Sequence, residues 1–303
     1  MRLDRFLAAR FAGLSRALLA RGIREGGVAQ ASGRTLRASS LVRAGEELIV
    51  TIPALSAQTP EPPMPPVLYD DGRVVVVDKP AGLLVHPTGT AFAWSVIGLA
   101  RHRWPGRDVM TVHRLDRDTS GTLALTLEAS ANRSLKEAVR LGRVGKEYEA
   151  VVRGVVPWDS QTVDAPIGPA DGPIRIQMAV RSDGQSARTD VHVVARGRDA
   201  TRVRLTLHTG RTHQIRVHLA HLGHPILGDR MYGVPVERAR AALEDGVDVS
   251  EEAGWSRQAL HAAHLALPGV GGPPIAVTSP WPADLVGCGG LEHRNGPEDE
   301  TRG

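Results

Sequence analysis

The sequence predicts an α+β protein, in which a largely antiparallel mixed β-sheet flanked by helices and loops follows a small basic N-terminal module. Three observations favour that fold class: short apolar segments with the period of a strand recur along the chain, a helical segment at about 130–141 lies between two of them, and regular βαβ repeats are lacking. The segments with the strand period are Leu123/Leu125/Leu127, Tyr148/Ala150/Val152 and Val203/Leu205/Leu207, and the continuous apolar run Val74–Val77 is expected to be a buried strand.

The first 58 residues predict a module of two short helices and a small hairpin. Leu3, Phe6, Leu7 and Phe11 share one helical face, and a second helix carrying Leu18 and Leu19 has Ser15 as its expected N-cap. Gly26-Gly27 ends that helix, Ser32-Gly33 suggests a turn, and 48–52 is expected to be a strand. The arrangement resembles the small α-L RNA-binding domain found in several RNA-modifying enzymes; a generic basic helical cap is the alternative.

The remaining chain divides by composition. Residues 59–66 are rich in proline and predict a stiff extended linker, and 67–290 predict the main domain. Within it, 237–252 is acidic and helical in composition, as expected of a surface insertion. The polar tail at 291–303 is expected to be disordered.

Charge and cysteine content narrow the class of protein. The net charge is +4, and the segment through residue 55 has nine arginines against four acids. Arginine suits forked phosphate contacts and stacking on bases, although a genome rich in arginine codons is an equally good explanation. One cysteine, Cys288, allows no internal disulfide and favours the cytoplasm. The sequence contains no apolar run of about 18 residues, so no membrane span is predicted, and the charged residues at its start argue against a signal peptide.

The segment 113–121, His-Arg-Leu-Asp-Arg-Asp-Thr-Ser-Gly, places two carboxylates among guanidinium groups. Asp116 and Asp118 are flanked by Arg114 and Arg117, so the pKa values of both carboxyls are expected to fall and both groups to stay ionised. An ionised carboxylate is a poor general acid but can act as a nucleophile or stabilise charge. A surface loop with internal salt bridges is the alternative for this segment alone.

Three further segments accompany this one in a fixed order. They are 74–89 (Val-Val-Val-Val-Asp-Lys-Pro-Ala-Gly-Leu-Leu-Val-His-Pro-Thr-Gly), 146–154 (Lys-Glu-Tyr-Glu-Ala-Val-Val-Arg-Gly) and 209–229, which runs from Thr-Gly-Arg-Thr-His-Gln-Ile-Arg to Gly-His-Pro-Ile-Leu-Gly-Asp. With 113–121 they resemble the four motifs of the RluA-type pseudouridine synthases, over about residues 67–285. A single such motif is weak, whereas four in the same order are a strong indication.

The resemblance implies an enzyme that isomerises uridine in structured RNA to pseudouridine. Asp116 corresponds to the nucleophile, which attacks either carbon 6 of the base or the anomeric carbon, and Asp118 to a residue that holds the loop. Arg216 is then expected beside Asp116, keeping it charged. Tyr148 is expected to pack on the flipped base, although a core tyrosine of the strand is the alternative. The family's reaction requires no metal, nucleotide or redox cofactor.

The resemblance also implies the residues that contact RNA. Arg114 is expected to enter the RNA and help hold the uridine out of the stack. His113, Arg211 and His213 are expected to contact RNA nearby, and the N-terminal module is expected to contribute Arg16, Arg21 and Arg24. Large-subunit ribosomal RNA is favoured over transfer RNA, because members with the extra module usually act there, and no obligate protein partner is implied.

The segment after Gly210 predicts a helix. Thr212 is expected to be its N-cap, and Ile215, Leu219 and Leu222 form its expected buried stripe. Arg216 lies off that stripe on the face of His213, as expected of a residue directed at a site.

Three alternatives remain open from the residues. The histidines at 208–224, with His261 and His264, invite a zinc site, but they lack the i, i+4 spacing with an adjacent acid, so hydrogen bonding is favoured. Asp116-Arg117-Asp118-Thr119 is similar to the start of haloacid-dehalogenase-type phosphatases, although no apolar strand leads into it and no magnesium-binding acids follow. A non-catalytic RNA-binding protein is the third.

Overall fold

The computed structural model describes residues 1–10, 23–24, 26–50, 62–86 and 94–291. Its helices and strands, in chain order, are α1 (Leu3–Arg10), β1 (Val28–Gln30), β2 (Leu48–Val50), β3 (Val67–Asp70), β4 (Val74–Lys79), α2 (Val96–Arg103), β5 (Met110–Thr111), β6 (Ser120–Thr126), α3 (Ala129–Arg140), β7 (Gly145–Arg153), β8 (Ser160–Asp164), β9 (Ile167–Pro169), β10 (Met178–Val180), β11 (Arg188–Arg196), β12 (Ala200–Leu207), α4 (Gln214–His221), α5 (Val236–Glu244), α6 (Ser250–Ala253), β13 (Leu260–Leu267) and β14 (Ile275–Thr278). Within the described stretches, no helix is long and apolar enough to cross a membrane.

The chain forms two compact units. The first comprises Met1–Met64 and Leu83–Val109, and the second comprises Pro65–Gly82 and Met110–Gly303. The domain boundaries expected from composition, at residues 58, 66 and 290, stay a prediction. The expected disorder of the tail falls on residues outside the described chain from 292 onward.

In the first unit, α1 packs beside the antiparallel pair β1–β2, which has Ala29 opposite Ile49. The predicted first helix is confirmed over Leu3–Arg10. Six buried side chains form the core of this part: Leu3, Leu7, Ile23, Val28, Leu36 and Val42. The predicted strand at 48–52 is confirmed at Leu48–Val50. The second helix with its cap at Ser15 lies outside the described residues, as do Arg16 and Arg21.

The second unit is built on a ten-stranded sheet, which confirms the predicted α+β class and its largely antiparallel sheet. Its main path is β3-β4-β6-β13-β7-β12-β11-β8, with β5 beside β6 and β14 beside β13. Among the described strands only β6 and β13 pair in parallel, at Ser120 with His261 and Gly121 with Ala262. Strand β13 therefore lies between β6 and β7, although it follows both by more than a hundred residues.

The predicted strands of this sheet are confirmed, and their burial shows where the core lies. Val74–Val77 of β4 are fully buried. All seven residues of β6 are buried, because both faces of this central strand are covered. In β7 and β12 the predicted apolar residues Tyr148 and Leu205 are buried and opposite each other. The helix predicted at 130–141 is α3, which packs its buried Leu135 against the sheet.

Helix α4 begins differently from the prediction. Thr212 is not the N-cap; that position is taken by His213, whose φ of 56° is left-handed and whose side chain makes no capping hydrogen bond. Instead Gln214 stabilises the helix start, since its Oε1 accepts hydrogen bonds from the Arg211 amide at 2.9 Å and the Thr209 hydroxyl at 2.8 Å. The helix is buried on most sides rather than along one stripe: Gln214, Ile215, Arg216, Val217, His218 and Leu219 are all buried.

The acidic segment 237–252 is helical, as predicted. It comprises most of α5 and the start of α6, and Ala239 is the one buried residue of α5. Arg238 pairs with Glu252 between the two helices. The segment therefore forms a charged surface feature.

Gly121 is required where β6 meets β13. Its φ is 110°, and a Cβ at this position would lie 2.2 Å from the Ala262 carbonyl oxygen. We expect Gly121→Ala to lower the free energy of unfolding by about 3 kcal/mol or more, because strain and backbone overlap add. Gly142→Ala is the matched control, since Gly142 has φ 67° but open space around its Cβ. It should cost about 1 kcal/mol. Urea unfolding measures both, and equal losses would contradict this account.

Candidate active site

A cavity of about 240 Å³ lies in the second unit, where three segments meet. The loop before β6 contributes five residues, β7 contributes two, and the segment from Gly210 into α4 contributes seven. Val139 of α3, Leu207 of β12 and Leu260 of β13 complete the lining. The polar and aromatic residues that line it include His113, Arg114, Asp116, Lys146, Tyr148, Arg211, His213 and Arg216. The structure thus brings together the three predicted catalytic residues and the four RNA-contacting residues predicted around them.

Asp116 is paired with a guanidinium group, but not with one of its sequence neighbours. Arg117 binds Asp118 through two hydrogen bonds of 3.0 Å on the exposed side of the loop. The partner of Asp116 is Arg216, whose Nη1 donates to Oδ2 at 3.0 Å. Of the two flanking arginines, Arg117 therefore pairs with Asp118, whereas Arg216 lies beside Asp116 as expected.

Arg216 is itself held by a second carboxylate. Its Nε and Nη2 donate to the two oxygens of Asp229 at 2.7 and 2.9 Å. The side chain of Asp229 is fully buried and also accepts from the amides of Met231 and Tyr232. Burial alone would raise the pKa of Asp229, but the charge and hydrogen bonds of Arg216 outweigh it and lower that pKa. Asp229 therefore stays ionised and fixes the plane of the guanidinium group.

His213 and Tyr232 form a second polar pair beside Asp116. The Tyr232 hydroxyl lies 2.9 Å from His213 Nδ1 and accepts from the Met178 amide at 2.9 Å. Burial lowers the pKa of His213 to about 4, so its ring is neutral at pH 7. If the hydroxyl donates to Nδ1, the ring proton lies on Nε2, which is 3.9 Å from Asp116 Oδ2.

The left-handed backbone of His213 is unusual. Among the described residues it is the one non-glycine residue with positive φ. Such a conformation persists where the surroundings hold it, and it is concentrated at functional sites. Here it turns the imidazole toward the cavity as α4 begins.

Tyr148 presents its ring to the cavity from β7. The side chain is buried at 7% exposure, and burial together with the charge of Asp116 raises the pKa of its phenol. The phenol is therefore protonated at pH 7. A neutral aromatic ring that lines a cavity is a surface on which a nucleobase can stack.

The predicted RNA-contacting residues occupy different surroundings. Arg114 and Arg211 are exposed at the cavity, and Arg211 Nε donates to the Ser186 carbonyl. His113 Nε2 accepts from the Ala124 amide at 3.2 Å, and burial lowers the pKa of this imidazole to about 4. Arg24 is exposed in the first unit.

Lys79 is not among the predicted site residues, although it lies in the lysine-proline loop of the motif at 74–89. It is fully buried, and its Nζ donates to the carbonyls of Pro80 at 2.8 Å and Arg117 at 2.9 Å. It thereby binds the loop that carries Asp116. Burial lowers the pKa of Lys79 to about 7, against the opposing charges of Asp118 and Asp116. The scarcity of lysine, at only three positions, could have drawn attention to it.

The histidine runs are used for hydrogen bonding. Both ring nitrogens of His218 are engaged, with Thr189 Oγ1 at 2.9 Å and the Ala165 carbonyl at 3.0 Å. His261 bridges Ser120 and the Ser279 carbonyl in the same manner. Across the described residues no group of three or more His, Cys, Asp or Glu side chains is arranged to hold a metal ion.

Comparisons with known proteins show which family this chain resembles. The family model for RNA pseudouridylate synthase matches residues 73–221. Ribosomal large subunit pseudouridine synthase D of Xanthomonas campestris is 40% identical over 294 residues, which cover 94% of this chain and 86% of the relative. The protein of the same name from Pseudomonas aeruginosa is 35% identical, covering 88% and 83%. The structure of human RNA pseudouridylate synthase domain containing 1 superimposes with a TM-score of 0.57 at 28% identity, covering 71% of this chain and 82% of that one.

Together with the fold, these similarities define an RNA-modifying isomerase. The chain belongs to the RluA-type family of RNA pseudouridine synthases, and it is an enzyme of that class. The two other classes considered from the sequence, a phosphatase and a non-catalytic RNA-binding protein, are thereby set aside. Asp116 also precedes β6 instead of ending a buried strand, which is not the arrangement expected of the phosphatase.

Asp229 offers a test of how Arg216 is held. We expect Asp229→Asn to lower kcat by about tenfold to a hundredfold, because Arg216 loses its fixed orientation, and to lower the free energy of unfolding by about 3 kcal/mol, because a buried charge loses its partner. Activity per folded molecule and urea unfolding measure the two effects.

The matched control is Asp284→Asn. Asp284 forms a similar two-bond pair with Arg257 but does not line the cavity. Its kcat should be unchanged. An Asp229→Asn enzyme with wild-type kcat would show that Arg216 needs no second carboxylate.

The lowered pKa of Lys79 predicts that the free energy of unfolding depends on pH. Because its pKa falls from 10.5 to about 7 on folding, the unfolded chain binds more protons between these values. Stability should therefore rise with pH in this window, by at most about 1.4 kcal/mol per pH unit from this group. Lys79→Met should abolish that rise, whereas the exposed Lys136→Met should keep it. Urea unfolding between pH 7.5 and 9.5 tests this, and parallel curves for wild type and Lys79→Met would contradict it.

Proposed function

We propose that this enzyme converts uridines of large-subunit ribosomal RNA to pseudouridine, with Asp116 as the nucleophile acting on a flipped-out base. The observation that carries the proposal is the position of Asp116 in the cavity, where one of its oxygens is bound by Arg216. Its Oδ2 is held by the buried Arg216 at 3.0 Å, and its side chain is 21% exposed beside the ring of Tyr148. The second oxygen, Oδ1, is then available to a substrate.

The reaction asks little beyond such a carboxylate. The bond between N1 and the anomeric carbon breaks, a bond from carbon 5 to that carbon forms, carbon 5 loses its proton and N1 gains one. Asp116 can assist by attacking carbon 6 of the ring or the anomeric carbon itself. Arg216 holds the carboxylate through a charge-assisted hydrogen bond, and water exclusion around the pair strengthens the electrostatic interactions. No step in this scheme uses a metal or a redox cofactor.

The target base must leave the RNA stack to reach Asp116, which costs a few kcal/mol. Arg114 is exposed at the cavity, two residues before Asp116, and is suited to fill the space that the base leaves. Tyr148 then receives the base on its ring. His113, Arg211 and His213 line the same cavity and can contact the flipped nucleotide.

The names of the relatives support the proposed substrate class. Two of them are named as synthases of the large ribosomal subunit, and the alignments cover most of both chains. The basic first unit, with Arg24 exposed, supports an α-L-like RNA-binding module there, to which Arg16 and Arg21 would also belong. A ribosomal RNA substrate would place the enzyme in the cytoplasm. Transfer RNA is the alternative substrate.

Loss of the gene should remove one or more pseudouridines from large-subunit ribosomal RNA, and the wild-type gene should restore them. Asp116→Asn should not restore them, because an amide cannot act as the nucleophile, and we expect at least about a 10³-fold loss of activity. Carbodiimide mapping of ribosomal and transfer RNA measures the sites, and tritium release from RNA labelled at carbon 5 of uridine measures the rate.

Asp118→Asn is the matched control, because Asp118 pairs with Arg117 on the exposed side of the same loop. It should restore modification. A map that changes only in transfer RNA would contradict the ribosomal substrate, and an active Asp116→Asn enzyme would contradict the nucleophile.

A further inference from the structure

Helix α3 has one face in the core and one face of concentrated positive charge. Ala131, Leu135 and Ala138 are buried. The opposite face exposes Arg133, Lys136 and Arg140, and Arg143 is exposed just after the helix. We call these four residues the α3 ridge.

The ridge is a local excess of charge. Residues 129–143 contain four basic residues and one acid, Glu137, which gives +3 in fifteen residues, whereas the whole chain of 303 has a net charge of +4. Glu137 binds Arg140 through hydrogen bonds of 2.6 and 2.7 Å. A cluster of this kind attracts a polyanion more strongly than scattered charges do.

The ridge also has a defined orientation toward the active site. Val139 of α3 lines the cavity. At 100° per residue, Lys136 lies about 60° around the helix from Val139, Arg140 about 100° and Arg133 about 120°. Glu137 lies about 160° away, on the far side. The cations are therefore closer to the cavity side of the helix than the acid is.

We propose that the α3 ridge binds the phosphate backbone of the substrate RNA next to the flipped uridine. The proposal rests on the proposed function, since it takes RNA as the substrate. Phosphate contacts position a nucleic acid without reading its sequence, so the ridge would orient the strand that enters the cavity. The exposed ridge carries long cationic side chains and no aromatic anchor, which suits a phosphate backbone better than a protein partner.

The test compares two triple variants of equal charge. The ridge variant is Arg133→Gln/Lys136→Gln/Arg143→Gln, and glutamine keeps the helix propensity. The control variant is Arg175→Gln/Arg198→Gln/Arg240→Gln, three exposed residues of the same unit that do not line the cavity. Binding to transcribed large-subunit ribosomal RNA is measured from 50 to 200 mM salt, together with single-turnover isomerisation at saturating RNA. Thermal unfolding checks that both variants fold as the wild type does.

We expect the ridge variant to bind RNA about tenfold to a hundredfold more weakly at low salt. The slope of log affinity against log salt should fall by about 2 to 3, close to one for each lost phosphate contact. The single-turnover rate at saturation should be unchanged, because no ridge residue contacts the reacting atoms. The control variant should lose less than about threefold.

Two results would overturn the ridge proposal: a ridge variant with wild-type affinity and salt slope, or equal losses in the ridge and control variants. The proposed function fails in a distinguishable way. If the wild type binds this RNA without isomerising it, the proposed function is wrong, while a ridge-specific change in salt slope would still support the RNA contact.

Discussion

The site depends on one buried guanidinium group shared between two carboxylates. Arg216 uses Nε and Nη2 for Asp229 and keeps Nη1 for Asp116. A buried cation with a single exposed partner would follow the movements of that partner. Because Asp229 is fully buried and itself held by two backbone amides, the guanidinium instead has a fixed plane, and its remaining N–H direction fixes one oxygen of Asp116. Orientation of this kind is established before substrate binds, which is what preorganised catalysis requires.

The elements that could be predicted are those with a strong local pattern. Strands β7 and β12 and helix α3 follow from periodicity, and β4 follows from its continuous apolar run, because each buries its apolar side chains in the core. The start of α4 could not be predicted in this way. A threonine before a helix is a good cap in general, but here the Gln214 side chain accepts from the Arg211 amide and the Thr209 hydroxyl, and His213 adopts a left-handed backbone.

The residues of the active site were predictable only in part, because their pairing depends on the folded geometry and not on a local pattern. Family resemblance identified Asp116, Tyr148 and Arg216. Local charge placed Arg114 and Arg117 near both aspartates without specifying the pairs, and Arg117 binds Asp118. Salt bridges between neighbours in sequence are decided by loop geometry, which residue types do not specify. Asp229 and Lys79 both lie in matched motifs, but their contacts with Arg216 and with the loop of Asp116 form only through folding, so the motifs alone did not assign them a role.

The position of β13 has a consequence for how the enzyme is made. This strand is inserted between β6 and β7, which are synthesised more than a hundred residues earlier. While the ribosome is still translating the intervening chain, the edges of β6 and β7 that β13 later occupies have no partner, and such edges are prone to pair with other chains. Contacts this distant also slow folding. A nascent chain that ends before residue 260 therefore lacks β13, which completes the sheet and contributes Leu260 to the cavity. Such a prematurely terminated product should aggregate instead of modifying RNA.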